Sequence, residues 1–458
     1  MKKALKQITI STGIAISCLI SAPIFAANLM EVYKYACAND PTIKSARADF
    51  LANKQNVPLS IAAFLPQVFA NGSLQRNRVD NQTAANPFDS DTVFYNNTAR
   101  YSLSATQSIF NFSNWAKLSE ANSLVKQSAA TLSAAAQDLM IRTVTAYFNV
   151  LVASEDLRFT RAEKKAIGRQ LKQNQERFKV GLIAITSVHE SQASYDSVTA
   201  QEIATQNQLE IRIEELREIT NKAFPVMRGI GEKLPLLKPK PANIDRWVAV
   251  AEKQNYQLQA AHYATLGAKA VIKEQFSGHL PVVSAAGNYN YSFQDNPYGI
   301  PNGDSRVKTA DISVAADLPI FSGGATTALT RQARYNFLAA SANEVKTHRS
   351  VVSQTRQTYL SVISGISQVK ADKQTIVSRN SALEATDAAY KVGTRTFVDV
   401  LDAQSRLYDS ERVHARDQYN YLLNTLLLKQ AAGTLSLHDL YQINRVLEKD
   451  IAVKKMIR

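Results

Sequence analysis

Apolar residues recur every seven positions along two stretches of the chain, roughly 113 to 179 and 324 to 391. In the second stretch Leu338, Val345, Val352, Tyr359 and Ile366 form one stripe, and Val362, Val369, Ile376, Leu383 and Tyr390 form another. In the first stretch Leu118, Val125, Leu132 and Leu139 hand over to Val150, Leu157, Leu171 and Phe178, with Lys164 interrupting the second stripe. Sevenfold spacing predicts coiled-coil packing, and the handover predicts a change of packing partner along each helix. At 1.5 Å per residue each helix is about 100 Å long. The other faces, rich in Ala, Ser, Gln and Lys, are wet.

Elsewhere the period falls to two. Tyr95, Ala99, Tyr101 and Leu103 share one face, with Asn96, Thr98, Arg100, Ser102 and Ser104 on the other. Val283, Ala285, Tyr289, Tyr291 and Phe293 alternate with Ser284, Asn288, Asn290 and Ser292. Ala310, Ile312, Val314 and Ala316 alternate with Asp311, Ser313 and Asp317. Strands are predicted at about 66–79, 92–106, 281–293 and 306–318, joined by polar loops near 79–91 and 294–305. Each is long enough to cross a bilayer when tilted, and apolar-out, polar-in alternation suits an outer-membrane barrel. Four strands cannot close a barrel, and an open edge in lipid leaves backbone groups unpaired. Several chains must therefore pool their strands. Physics alone allows a dimer of eight strands or a trimer of twelve.

The pattern occurs twice. "FKVG" at 178 matches "YKVG" at 390, a shift of 212. "LPQVFANGSLQ" at 65 matches "LPVVSAAGNYN" at 280, a shift of 215, and "QSIFNFSN" at 107 matches "LPIFSGGA" at 318, a shift of 211. Residues 88–224 and 320–458 contain no proline, whereas four prolines lie between 225 and 241, as in a connector. We divide the chain into 1–26, a first repeat at 27–242 and a second at 243–458.

Composition adds limits. Lys2, Lys3 and Lys6 precede an apolar run with small residues at its exit, the pattern of a secretory signal peptide cut near Ala26. Net charge falls from +14 to +11 when those lysines leave. The remaining basic residues are interleaved with Glu, so they predict solvated helix surface rather than a nucleic-acid partner. Cys37 is the one cysteine after the leader, which precludes an internal disulfide. The six His lack ligand spacing, and no cofactor or metal is expected. No later apolar run reaches 18 residues, so no transmembrane helix is expected.

Gly181 and Gly393 fall where the long helices should end. Beyond them "TFVD" predicts Thr396 as N-cap with Asp399 at N3, and "SVHE", Ser187 to Glu190, predicts the same in the first repeat. Capping leaves Asp402, one turn further on the same face, unexplained.

The chain resembles the TolC-type outer-membrane efflux proteins. The resemblance rests on "ANLMEVYKYACANDP" after the leader, "VGLIAITSV" at 180, "LPIFSGG" at 318, "VGTRTFVDVLDAQ" at 392 and "YNYLLNTLLLKQAAGTLSLHDL" at 419. It implies a homotrimer with one twelve-stranded barrel in the outer membrane and a helical tunnel through the periplasm. A periplasmic adaptor (membrane fusion) protein would dock at the tip and link it to an inner-membrane pump of the RND, ABC or MFS type. Drugs or proteins would pass outward, without catalysis. Asp399 and Asp402 match a pore constriction, where six carboxylates would favour cations and bind multivalent ones. Tyr390, Arg395 and Thr186 match members of a closing network. Ser187 stands where the family carries a closing acid, so Arg395 lacks a charged partner unless Glu190 substitutes. Gly181, Leu182, Ile183, Ala184, Gly393, Thr394 and Thr396 become adaptor contacts, within exposed turns 182–185 and 394–397.

Two other readings remain. Asp399 and Asp402 as a general acid/base pair would suit glycoside hydrolysis, but no nucleophile constellation, phosphate loop or metal spacing accompanies them. A coiled-coil or adhesin-like envelope protein without a pore would leave the alternating strands unexplained. The segment after Asn444 carries no assigned role.

Overall fold

The structure, a computed structural model, describes residues 26–81, 92–231, 234–295 and 303–453. The leader before Ala26 and most of the two strand loops lie outside the described residues. In chain order the elements are α1 (Leu29–Asn39), α2 (Pro41–Lys54), α3 (Asn56–Ala62), β1 (Gln67–Asn81), β2 (Thr92–Phe110), α4 (Phe112–Lys179), α5 (Ile185–Thr220) and β3 (Met227–Ile230). Then follow α6 (Ile244–Gln254), α7 (Tyr256–Phe276), β4 (Val282–Asp295), β5 (Asp304–Asp317), α8 (Ala325–Lys391), α9 (Phe397–Ala431), α10 (Leu437–Asn444) and β6 (Leu447–Ile451).

Asn and Asp side chains start half of the ten α-helices among the described residues. Asn28, Asp40, Asn111, Asn243 and Asn255 each accept a hydrogen bond from a first-turn N–H, and Pro41 follows its cap at the first helical position. The long α4 and α8 form antiparallel pairs with α5 and α9. Each also packs on α7, so the partner changes along the length. Near its start α4 meets α7 through Lys117–Glu274 and through Lys126 over the Tyr263 ring. Further on, Arg161 and Lys164 both bind Glu202 of α5, at 2.7 and 2.9 Å. The lysine that breaks the apolar stripe is therefore half of an inter-helix ion pair.

The buried seam of α8 keeps Val362, Ile366 and Val369 of the expected stripes and departs from them toward the start of the helix. It runs through Val351, Thr355, Thr358, Val362, Ile366 and Val369, two of them threonines whose hydroxyls bond back to their own helix. Leu338 and Val345 instead stay 59% and 49% exposed in the single subunit.

The four long strands form one antiparallel sheet in the order β1-β2-β4-β5. It is inside out for a water-soluble protein. Asn96 and Thr98 are 5% and 4% exposed, while Tyr101, Leu74 and Ile312 are 55%, 82% and 90% exposed. Register aligns the apolar face across the sheet: Gly72 lies opposite Tyr101, Tyr101 opposite Tyr291, and the last two rings stack at 6.2 Å. No described helix is long and apolar enough to cross a membrane.

The core lies mid-length, where α1, α4, α5, α9 and α10 surround a small second sheet of β3 and β6. The C-terminal segment thus becomes a strand, and Ala27 adds a parallel bridge to Met227. Three tyrosine hydroxyls fasten this connector. Tyr147 donates to the Arg228 carbonyl at 2.7 Å and accepts from its N–H at 3.0 Å. Tyr419 accepts from Ile230 N–H, and Tyr421 bridges the N–H and carbonyl of Leu237. Burial pushes the Tyr147 phenol well above its ordinary pKa. Tyr147→Phe takes the hydroxyl donor from the Arg228 carbonyl, whereas Arg228 N–H keeps Ala27 O as an acceptor at 3.2 Å, and should cost about 1–3 kcal/mol. Chemical unfolding of the detergent-solubilised protein checks this, with helix content unchanged before the transition.

Candidate functional site

The candidate site is the turn end of the two helical pairs. Gly181 and Gly393 adopt left-handed backbone, with φ of 74° and 79°. At the first turn Gly181 N–H bonds Phe178 O and Leu182 N–H bonds Arg177 O, both at 2.9 Å. At the second, Gly393 N–H bonds Tyr390 O and Thr394 N–H bonds Ala389 O, both at 3.0 Å. This paired pattern closes a helix only when the turning residue tolerates positive φ. Thr394 and Leu182 then carry the chain into the return helices.

The two returns start differently. Thr396 caps α9 in a reciprocal box. Its N–H and hydroxyl donate to Asp399 Oδ2 at 2.8 and 2.7 Å, and its hydroxyl accepts from Asp399 N–H. The expected box at Ser187 does not form. Helix α5 begins earlier, at Ile185, with Ala184 as a cap that has no side-chain acceptor. The repeat shift of 212 aligns Ala184 with Thr396, Ser187 with Asp399 and Glu190 with Asp402. The first turn therefore lacks both members of the box that the second possesses. Ser187 contributes its carbonyl instead, accepting from Ser191 Oγ at 2.7 Å. Ser191 Oγ in turn accepts from Asn174 Nδ2 of α4 at 2.8 Å.

The carboxylates expected at the bore have local partners. Arg395 lies 3.8 Å from Asp399, and Arg406 Nε lies 2.9 Å from Asp402. The Thr396 hydroxyl and N–H, aided by Arg395, hold the Asp399 carboxyl below its ordinary pKa. Thr186 and Glu190 are exposed and make no side-chain hydrogen bond or ion pair among the described residues.

Tyr390 meets Arg177, a residue the sequence did not single out. The Arg177 guanidinium of α4 lies 5.7 Å from its ring centroid and within 3.5 Å of its hydroxyl. The Tyr390 ring packs on Phe397, which is buried with Ile167 and Leu401. Phe397 thus departs from the expectation of an exposed turn, and Ile183 is half-buried. Leu182 at 68% and Ile185 at 43% remain exposed. Arg177 carried no signal beyond being one basic residue near a helix end. A second link between the helical pairs, Arg412 to Glu163 at 3.0 Å, was equally silent.

Residues 32–222 and 247–434 match the family described as outer membrane efflux protein. The chain is 36% identical over 425 residues to the outer membrane protein TolC of Vibrio cholerae, covering 93% of this chain and 95% of that one. It is 25% identical over 428 residues to the alkaline protease secretion protein AprF of Pseudomonas aeruginosa, covering 92% and 88%. In fold it is similar to the crystal structure of the Campylobacter jejuni CmeC outer membrane channel, with TM-score 0.74, 16% identity and 98% of each chain covered.

The Asp399 box makes a pH prediction. A carboxyl with a depressed folded pKa stabilises fully above its unfolded pKa, about 4, and the effect fades as pH falls through the lower folded value. Thr396→Ala removes the hydroxyl that depresses it. Melting of the helices between pH 6 and 3 should depend less steeply on acid in the variant than in the wild type.

Proposed function

Because this chain belongs to the outer membrane efflux protein family, we propose that three copies pool their sheets into one twelve-stranded barrel and their helices into a tunnel ending at the glycine turns. As a family member it is an outer-membrane channel-tunnel that exports drugs and proteins. The observation that supports pooling of copies is the sheet, and the number three follows the resemblance to the family. The sheet's apolar face carries exposed Leu74, Tyr101 and Ile312 while Asn96 and Thr98 are buried on the other, and β1 and β5 are edges without partners among the described residues of the subunit. A rod without a pore has no use for such a sheet.

Asp399 and Asp402 line the narrow end of the bore, as six carboxylates in the trimer. Their partners Arg395 and Arg406 are themselves exposed, so a multivalent cation competes with them. A general acid/base pair needs one carboxyl held protonated near neutral pH. The depression of Asp399 points the other way, and the family is one of channels.

The closing network comprises Tyr390, Arg395, Thr186, Ser187 and Glu190, with Arg177 added on its contact with Tyr390. The turns at Gly181, Leu182, Ile183, Ala184, Gly393, Thr394 and Thr396 meet a periplasmic adaptor. That adaptor couples the tip to an inner-membrane pump of the RND, ABC or MFS type. The exposed Leu182 and Val180, at 68% and 69%, support the docking role. The relation to AprF, named for alkaline protease secretion, supports a protein among the cargoes.

Conductance in planar bilayers tests this reading. The wild type should carry steady ionic current that a trivalent cation blocks from the tip side. Asp399→Asn combined with Asp402→Asn should weaken that block at least tenfold and lower cation selectivity. Unchanged block would remove the carboxylate ring, and absence of any wild-type current would remove the channel.

A further inference from the structure

The two strand hairpins are the same object built twice. The sequence shifts of 215 for β1 to β4 and 211 for β2 to β5 carry the pair Gln67–Thr106 onto Val282–Asp317, and both pairs are observed. The subunit also contains one junction between hairpins, β2 against β4, with Tyr101 opposite Tyr291. A barrel of pooled copies needs the same junction between β5 of one subunit and β1 of the next. Carrying the observed register across by the same shifts sets Ile312 opposite the partner subunit's Arg76 and Val314 opposite the partner subunit's Leu74. Continued one pair past the observed register, the same alignment sets Lys308 opposite the partner subunit's Asp80. Side-chain parity is preserved, because all of these residues share the apolar, outward face with Tyr101 and Tyr291.

That seam gathers charge which the single subunit keeps apart. Arg76 and Arg78 lie on one edge strand, Arg306 and Lys308 on the other, all exposed and all on the outward face. Two carboxylates accompany them loosely: Arg78–Asp80 at 4.0 Å and Arg306–Asp304 at 3.6 Å. Arg76 sits 5.4 Å from the Tyr95 ring centroid and Arg306 lies 5.5 Å from that of Phe293, ring contacts that add no negative charge. Lys308 has no ion-pair partner among the described residues. These cations stand at the loop ends of the strands, away from the helices, directly beyond exposed Leu74, Ile312 and Val314.

Resting on the trimeric barrel proposed above, we propose that each seam between subunits holds the phosphorylated headgroup of an outer-leaflet glycolipid. The cations grip its phosphates and the apolar face below takes its acyl chains. A soluble anion would use the charges and leave the apolar surface idle, whereas an anionic amphiphile uses both. The partner copy is essential, because Arg76 and Arg78 reach the site only from the neighbouring chain.

The test has two arms, both on the detergent-solubilised full assembly. In the first, Leu74→Cys with Val314→Cys is treated with a short bismaleimide, and linked copies are expected. In the second, retention of bisphosphorylated lipid A and of its dephosphorylated form is measured by native mass spectrometry. The wild type should hold the phosphorylated form at least tenfold better, and Arg76→Gln with Arg306→Gln and Lys308→Gln should lose that preference. Arg76→Lys with Arg306→Lys should keep it, which guards against misfolding of the neutral variant. Linked copies with equal retention by the neutral variant, or equal holding of the dephosphorylated lipid, would overturn the lipid site alone. Copies linked only through other cysteine pairs along β1 and β5 would overturn the register. Absence of any link between copies would overturn the pooled barrel and the site with it.

Discussion

Unpaired backbone amides cannot sit in hydrocarbon, and the rest of this structure follows from that constraint. The sheet of β1, β2, β4 and β5 presents its apolar residues outward and hides Asn96 and Thr98. It is built for lipid, yet its two edges are open. Water offers no refuge for the exposed Leu74, Tyr101 and Ile312, and lipid offers none for the edges. The pooled copies proposed above resolve both conflicts. The exposed Leu338 and Val345 on α8 extend the same incompleteness along the helices.

The duplicated plan gives the molecule two kinds of ends. At the barrel the copies stay alike, and the hairpins share one register. At the tip they diverge. One return helix is locked by the Thr396–Asp399 box, and the other starts at Ala184 without a side-chain cap. The turn lacking the box is instead tethered sideways, through Ser191 to Asn174. The Arg177–Tyr390 and Arg412–Glu163 contacts join the two helical pairs within the subunit.

Much of the fold was legible because its signals are periodic. Alternation marked the sheet strands, sevenfold spacing marked the long helices, and Gly181 and Gly393 marked their ends. What stayed hidden is polar by residue type, short, or paired across long sequence separations. The α8 seam runs through Thr355 and Thr358, whose methyl groups pack like aliphatic side chains although the residues count as polar. Strand β6 was silent because a five-residue strand within a charged tail carries too little pattern. Ser187 looked like a cap because its spacing to Glu190 was right, but the helix had already started. Tyr390 was singled out, while its partner Arg177 lies 213 residues away in sequence and nothing local announces the contact.

The central claim is that a single chain is an incomplete object. The mass of the assembly extracted from membranes in detergent tests it most directly. The account predicts three copies of the processed chain, itself slightly below the 50.5 kDa of the full sequence, in one particle. A single-chain particle that stays soluble and folded without detergent would contradict it.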